Sequence, residues 1–188
     1  KIAPADGKAL NNRGNSLTEL GRVGEALDSY DRALRVSDAD PIVSSNRGNA
    51  LMVLGRCDDA IASFEQALKI DPDYGYGHWN LSLCCLLSGD FLRGWNEYEW
   101  GWKIEQRGKA RSWPGRPLWL GQESLQGKTI LLHCEQGLGD TIQFCRYARL
   151  VADGGARVIL EVQKPLVALL RDLDGVAQIV AMDDSLPE

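Results

Sequence analysis

Asp140 is placed for proton transfer by what precedes it. Glu135-Gln136-Gly137-Leu138-Gly139-Asp140 follows directly on the apolar run Thr129-Ile130-Leu131-Leu132-His133-Cys134. A short apolar run bounded by glycine reads as a buried strand. The turn after such a strand opens at the carboxyl edge of a sheet, beside a helix N-terminus, where α/β folds collect their ligands. Gly137 and Gly139 permit a tight turn and the close approach of a ligand. Glu135 and Gln136 border the turn and can bond an acceptor hydroxyl, although exposure to solvent accounts for them equally well. A carboxylate at Asp140 can take the proton of a hydroxyl that attacks an activated donor. It can also cap a helix predicted to begin at Thr141 and offset its dipole, and the two roles are compatible.

A second constellation is made of amides. Asn12, Asn46 and Asn80 recur at one register, and Asn15 and Asn49 lie one helical turn onward on the same face. Each amide offers a donor and an acceptor, so a column of them can hold the backbone of an extended peptide without reading its side chains. The alternative use is bonding to neighbouring helices.

The elements that must position these residues differ between the two halves of the chain. Asn12-Arg13-Gly14-Asn15 returns as Asn46-Arg47-Gly48-Asn49, and Gly21, Ala26, Ala33 and Leu34 return as Gly55, Ala60, Ala67 and Leu68. A period of about 34 residues is that of helix–turn–helix tetratricopeptide repeats, which these residues resemble. Three repeats are predicted, near 7–38, 41–72 and 75–106, making residues 1–106 an α-helical solenoid. Small residues belong where paired helices cross, and Gly14, Gly48 and Ser82 supply them, with Ala26, Ala60 and Gly94 in the second helices. Tyr30, Phe64 and Tyr98 provide aromatic packing, and Gly21, Gly55 and Gly89 the turns. Pro4 stands in the register of Pro72, so the sequence is read as beginning at the tail of a further repeat. The third repeat departs from the pattern. Trp95, Tyr98, Trp100 and Trp102 crowd its second helix, as expected of an end that packs against a neighbour or stacks a ligand such as a sugar.

Residues 107–126, with Pro114, Gly115, Pro117 and Gly121, form a connecting segment in which Trp113 and Trp119 point to packing. From residue 127 to 188 the pattern is strand Thr129–Cys134, helix Thr141–Asp153, strand Arg157–Val162, helix Pro165–Leu173 and strand Gln178–Met182. That alternation predicts parallel βαβ units, the first half of a Rossmann-like domain, and therefore truncation at this end as well. Ile142 and Asp140 oppose a dinucleotide fingerprint, although Glu161 holds the place of a ribose-binding acid. His133, within the first strand, is expected to be a packed imidazole.

The net charge of -5 argues against nucleic acid as the principal partner. No apolar run approaches the about 20 residues of a membrane span. Cys57, Cys84, Cys85, Cys134 and Cys145 show no ligand-like spacing with His78 or His133, so no metal and no other cofactor is expected. Reduced thiols and the composition predict a cytoplasmic protein.

Two resemblances sharpen the functional expectation. The Asn-x-Gly-Asn register resembles the repeats of the O-linked N-acetylglucosamine transferase family, which implies protein substrates held on Asn12, Asn46 and Asn80; Arg13 and Arg47 stand where that family has leucine. The stretch from Gly127-Lys128-Thr129 through Gly137-Leu138-Gly139-Asp140-Thr141 to Gly154-Gly155-Ala156-Arg157-Val158 resembles bacterial proteins that fuse tetratricopeptide repeats to a domain related to the lipopolysaccharide heptosyltransferases. That resemblance implies a two-domain (GT-B type) glycosyltransferase in which Asp140 is the base. A nucleotide-sugar would then be bound only in a longer parent, leaving this chain inactive. The rival expectation is a non-catalytic scaffold that binds peptides, with the third-strand edge or the tryptophan face available for a homodimer.

Overall fold

The computed structural model describes residues 6–37, 39–104, 115–135, 137–182 and 184–186. The chain divides into two compact units, Lys1–Ser112 and Trp113–Glu188.

The described residues of the first unit form helices α1 (Gly7–Glu19), α2 (Val23–Val36), α3 (Pro41–Val53), α4 (Cys57–Ile70), α5 (Gly75–Ser88) and α6 (Phe91–Tyr98), followed by a 3-10 turn, Glu99–Lys103. The helix starts follow from local chemistry. Asp6 accepts from Lys8 N, Asp40 from Ile42 N and Val43 N ahead of Pro41, and Asp90 from Arg93 N, each satisfying a backbone donor that the first turn leaves open. Between paired helices Gly21, Gly55 and Gly89 turn with φ of +73°, +71° and +90°. An L-residue with a side chain rarely adopts that conformation.

The first two hairpins each close on a glycine–aromatic contact. A Cβ on Gly14 would penetrate the Tyr30 ring and one on Gly48 the Phe64 ring, and both rings are buried. Ala26, Ala33, Ala60 and Ala67 are buried beside them, so the helix axes approach closely. The third hairpin is packed differently. Ser82 replaces glycine, and the Tyr98 ring lies 4.5 Å from Trp79 and 5.5 Å from Trp95. His78 stacks on Trp100 at 3.8 Å and 10°, while Lys103 Nζ sits 3.4 Å over the same indole. The predicted aromatic face is thus partly consumed inside its own hairpin. Phe91, Leu92 and Trp95 remain exposed.

Successive hairpins stack with α3 on α2 and α5 on α4. Leu51, Phe64, Leu81, Cys84 and Cys85 form the core where the second and third hairpins meet, with Cys57, Ile61 and Leu68 packed on it.

The second unit holds a three-stranded parallel sheet, β1 (Thr129–His133), β2 (Arg157–Val162) and β3 (Gln178–Ala181), in the order β1-β2-β3. Thr129 pairs with Arg157 and His133 with Glu161; Ile159 pairs with Gln178 and Val162 with Ala181. Val158 and Val162 of the central strand are fully buried, and Leu160, Leu166 and Leu170 close one core. The predicted helix from Thr141 to Asp153 begins earlier and is broken, into α7 (Leu138–Phe144), a 3-10 turn at Cys145–Tyr147 and α8 (Ala148–Asp153). Only one turn of helix, α9 (Val167–Leu170), follows the 3-10 turn Lys164–Leu166 where Pro165–Leu173 was expected. In the segment before β1, Trp119 Nε1 donates to the Glu123 carbonyl at 2.9 Å. Trp113 and Pro114 lie outside the described residues. No helix among the described residues is long and apolar enough to cross a membrane, and no His/Cys/Asp/Glu group there could hold a metal ion.

Candidate functional site

The amide column runs along the first helices of the three hairpins. Asn12 on α1 is exposed, and Asn46 on α3 and Asn80 on α5 are half-buried. Two of the amides bond back to the preceding first helix. Asn46 Nδ2 donates to Asn11 Oδ1 at 3.0 Å, and Asn80 Nδ2 donates to Ser45 Oγ at 3.3 Å. The two bonds share one geometry, since Asn11 and Ser45 occupy equivalent places. Asn15 is held within its own hairpin, where the Tyr30 hydroxyl donates to its Oδ1 at 2.8 Å. Asn49 is half-buried on α3. Asn12, Asn46 and Asn80 thus recur at one register of the first helices, and the bonding to neighbouring helices weighed as the alternative is present for Asn46 and Asn80, with Asn15 held inside its own hairpin.

A second network was not anticipated. Arg47, in a register where an apolar residue would suit the packing, reaches Asp31 of α2 through Nε at 2.7 Å and Ser63 of α4 through a terminal nitrogen at 2.7 Å. Arg13 repeats half of this, donating to Ser29 at 3.3 Å. Arg93 of α6 reaches Glu65 of α4 at 2.8 Å. In the third hairpin leucine replaces arginine, and a different pair joins the helices: His78 Nδ1 lies 2.5 Å from Glu97 Oε2, and its Nε2 lies 2.8 Å from the Pro72 carbonyl. The signal was in the sequence, because Ser29 and Ser63, and Asp31 and Glu65, recur with the same period as Arg13 and Arg47. Arg13, Glu25, Asp28, Asp31, Arg32 and Arg35 line an open polar pocket of about 330 Å³.

In the second unit the Gly137–Asp140 turn follows the carboxyl end of β1, as the strand assignment required. Because α7 starts at Leu138, Asp140 lies inside the first turn and reaches back, its Oδ2 accepting from Gly137 N at 3.1 Å. That bond is a capping contact, so the expected cap exists in a corrected position. Gly137, Gly139, Asp140 and Glu135 are all exposed. Gln136 lies outside the described residues. His133 Nε2 is 3.8 Å from Glu135 Oε1, and Glu161, beside His133 in the next strand, is only 1% exposed.

Family profiles match two stretches of the chain, the tetratricopeptide repeat over residues 42–74 and the TPR repeat over residues 14–55. No curated protein matches. Among solved structures, the Sgt2 TPR domain from Aspergillus fumigatus is 29% identical, covers 58% of this chain and 74% of its own, and superposes with a TM-score of 0.52. The second TPR of Spaghetti (RPAP3), bound to the HSP90 peptide SRMEEVD, is 19% identical, with 53% and 93% covered and a TM-score of 0.52. The first TPR domain of human RPAP3 is 19% identical, with 53% and 79% covered and a TM-score of 0.51. The glycosyltransferase resemblances rest on sequence motifs alone. The chain carries tetratricopeptide repeats, stacked in its first unit as a helical solenoid.

Proposed function

We propose that the chain is a protein-binding module that holds an extended peptide on the row formed by Asn12, Asn15, Asn46, Asn49 and Asn80. The observation that carries this reading is the repeated anchoring of Asn46 and Asn80. One amide N–H of each is fixed to the helix behind, which pre-orients the side chain and leaves its carbonyl oxygen and second N–H for a ligand's backbone. The Spaghetti domain is seen with a peptide ending Glu-Glu-Val-Asp. Four carboxylates, counting the chain end, call for cations. The row here is uncharged, so recognition runs through main-chain groups and tolerates sequence.

Asn12 makes no inter-helix bond among the described residues, so Asn12→Ala separates binding from stability. Binding is read by fluorescence polarisation against an array of neutral extended peptides, with SRMEEVD as the acidic comparison. The triple variant N12A/N46A/N80A is expected to bind at least tenfold more weakly, since each lost hydrogen bond is worth about 1 kcal/mol. N12A alone should weaken binding without moving the thermal transition. Equal binding by the triple variant, or a preference for SRMEEVD, refutes this mode.

A second reading concerns the second unit, which we infer to be the acceptor-side part of a Rossmann-like, heptosyltransferase-like domain. What supports it is the parallel β1-β2-β3 order, together with an exposed carboxylate in the turn after β1. A nucleotide-sugar pocket would belong to a longer parent. With the 15N-labelled chain, millimolar methyl glucoside is expected to shift the Gly137 and Gly139 amides, and UDP-glucose to add nothing to that shift. Unmoved amides, or identical shifts in D140A, would remove Asp140 from an acceptor role.

A further inference from the structure

Cys57 and Cys84 face each other across the junction of the second and third hairpins. Cys57 is the first residue of α4, and Cys84 lies in the interior of α5. The Cys84 Sγ donates to the Cys57 carbonyl at 3.4 Å, across 27 residues of chain. The two thiols also sense each other, because Cys57 is, after burial, the next cause of the raised Cys84 pKa. The repeat shows that this juxtaposition belongs to the fold. Val23 opens α2 in the register of Cys57, and Ala50 of α3 stands in the register of Cys84. Those two share one core at the first junction, so the same arrangement that brings two thiols together at the second brings valine to alanine there.

Exposure divides the pair into different tasks. Cys57 is half-buried, whereas Cys84 is completely buried. A reagent from solvent therefore meets Cys57 first. Cys85, next in sequence, is turned elsewhere: besides burial, the groups that act on it are led by Arg93 and Asp90 at the start of α6. No His/Cys/Asp/Glu group among the described residues could hold a metal ion, so the pair does not belong to a metal set.

We propose that Cys57 and Cys84 are a redox pair, which a hydroperoxide converts to a disulfide stapling α4 to α5. The Cys57 sulfur attacks the peroxide, the O–O bond breaks, and water departs to leave a sulfenic acid on Cys57. The Cys84 sulfur then attacks the Cys57 sulfur. The S–S bond forms as the S–O bond breaks, and the departing hydroxide takes the Cys84 proton as a second water. Two thiols lose two electrons and one peroxide gains them. Holding the thiols side by side makes the second step intramolecular, which offsets the weak nucleophilicity of a buried, protonated thiol. With the Cys84 sulfur already against the Cys57 backbone, closure takes rotation of side chains rather than movement of helices. The bond closes a loop that the reduced chain leaves open and so restrains the unfolded state. Peptide binding by the amide row is a separate matter.

The test oxidises the full 188-residue chain with a few equivalents of hydrogen peroxide, blocks the remaining thiols with N-ethylmaleimide and maps unreduced tryptic peptides by mass spectrometry. Peptides 57–69 and 70–93 should appear joined, two hydrogens lighter than their sum, and should separate on adding dithiothreitol. Because the second peptide also holds Cys85, Cys85→Ala should keep the link and Cys84→Ala should abolish it, leaving Cys57 to advance to sulfinic acid. Alanine is the residue of the first junction at that place, so C84A should retain the fold, which circular dichroism verifies. The oxidised wild-type chain should melt about 10 °C above the reduced one, and C84A should show no such shift. Sulfinic acid on Cys57 with Cys84 still a free thiol in the wild-type chain overturns the proposal. So does a link that survives in C84A, or a Cys57–Cys57 bond between molecules in place of the internal one.

Discussion

Gly48→Ala is expected to destabilise the first unit by about 2 kcal/mol, although the same change would strengthen an isolated helix. Alanine exceeds glycine by about 1 kcal/mol in helix propensity. Against that gain, the new Cβ would lie inside the contact distance of three Phe64 ring atoms, and Phe64 is fully buried between α3 and α4. The ring cannot swing into solvent, so the helices must separate. Overpacking of this kind costs about 1–3 kcal/mol in gross terms and more where a whole helix pair shifts. Urea unfolding of G48A measures the net effect. Phe64→Leu in the G48A background should recover part of the loss, and the coupling between the two changes should exceed about 0.5 kcal/mol, the limit for independent sites. A G48A chain as stable as the wild type would show that the helix pair is loosely packed.

Cys84 is expected to react with iodoacetamide about a thousandfold more slowly than an ordinary thiol at mildly alkaline pH. Burial, reinforced by the neighbouring Cys57, pushes its pKa from 9.0 up to about 12, and its Sγ donates to the Cys57 carbonyl at 3.4 Å. The thiolate is the reactive form, and each pKa unit changes its population about tenfold. Mass spectrometry of briefly alkylated protein should find label on the half-buried Cys57 and Cys145 before Cys84 or Cys85, whose pKa burial also raises. Rapid labelling of Cys84 in the folded chain would contradict the packing of α5 on α4. The same groups fix an alkaline limit. Their folded pKa values lie above the unfolded ones, so their contribution to stability is complete below about pH 9 and is lost as pH rises toward 12. Tyr30, whose pKa burial also raises above its ordinary value, acts in the same direction as pH rises past about 10.

The helical half of the fold was legible because its constraints are short-range and periodic. Glycine against an aromatic ring, alanine at the crossing, glycine in the turn and aspartate ahead of a helix each act within one hairpin, and two copies expose the register. The parallel strands were legible for a similar reason, as apolar runs between glycine turns. What escaped was mostly non-local. Nothing in the arginine itself says that Arg47 binds an acid on one neighbouring helix and a serine on another. Nor does the spacing of asparagines say that Asn46 turns one N–H to Asn11. The start of α7 was misplaced because Gly137 and Gly139 read together as one turn, whereas only Gly137 stands outside the helix. The break at Cys145–Tyr147 has no proline or glycine to announce it.

Arg47 belongs to α3 and touches both α2 and α4, and so ties three helices of the first two hairpins together at a single side chain. In a solenoid, stability is a sum of terms for each hairpin and for each junction between nearest neighbours. The first junction contains this ionic clasp between α2 and α3. At the second, leucine replaces the arginine, and the ion pair joins Arg93 of α6 to Glu65 of α4 instead. The junctions are therefore unequal in kind, and under rising denaturant the third hairpin should melt away as a separate step while the first two dissolve together. Cooperativity in this chain has a length, and one arginine marks where it ends.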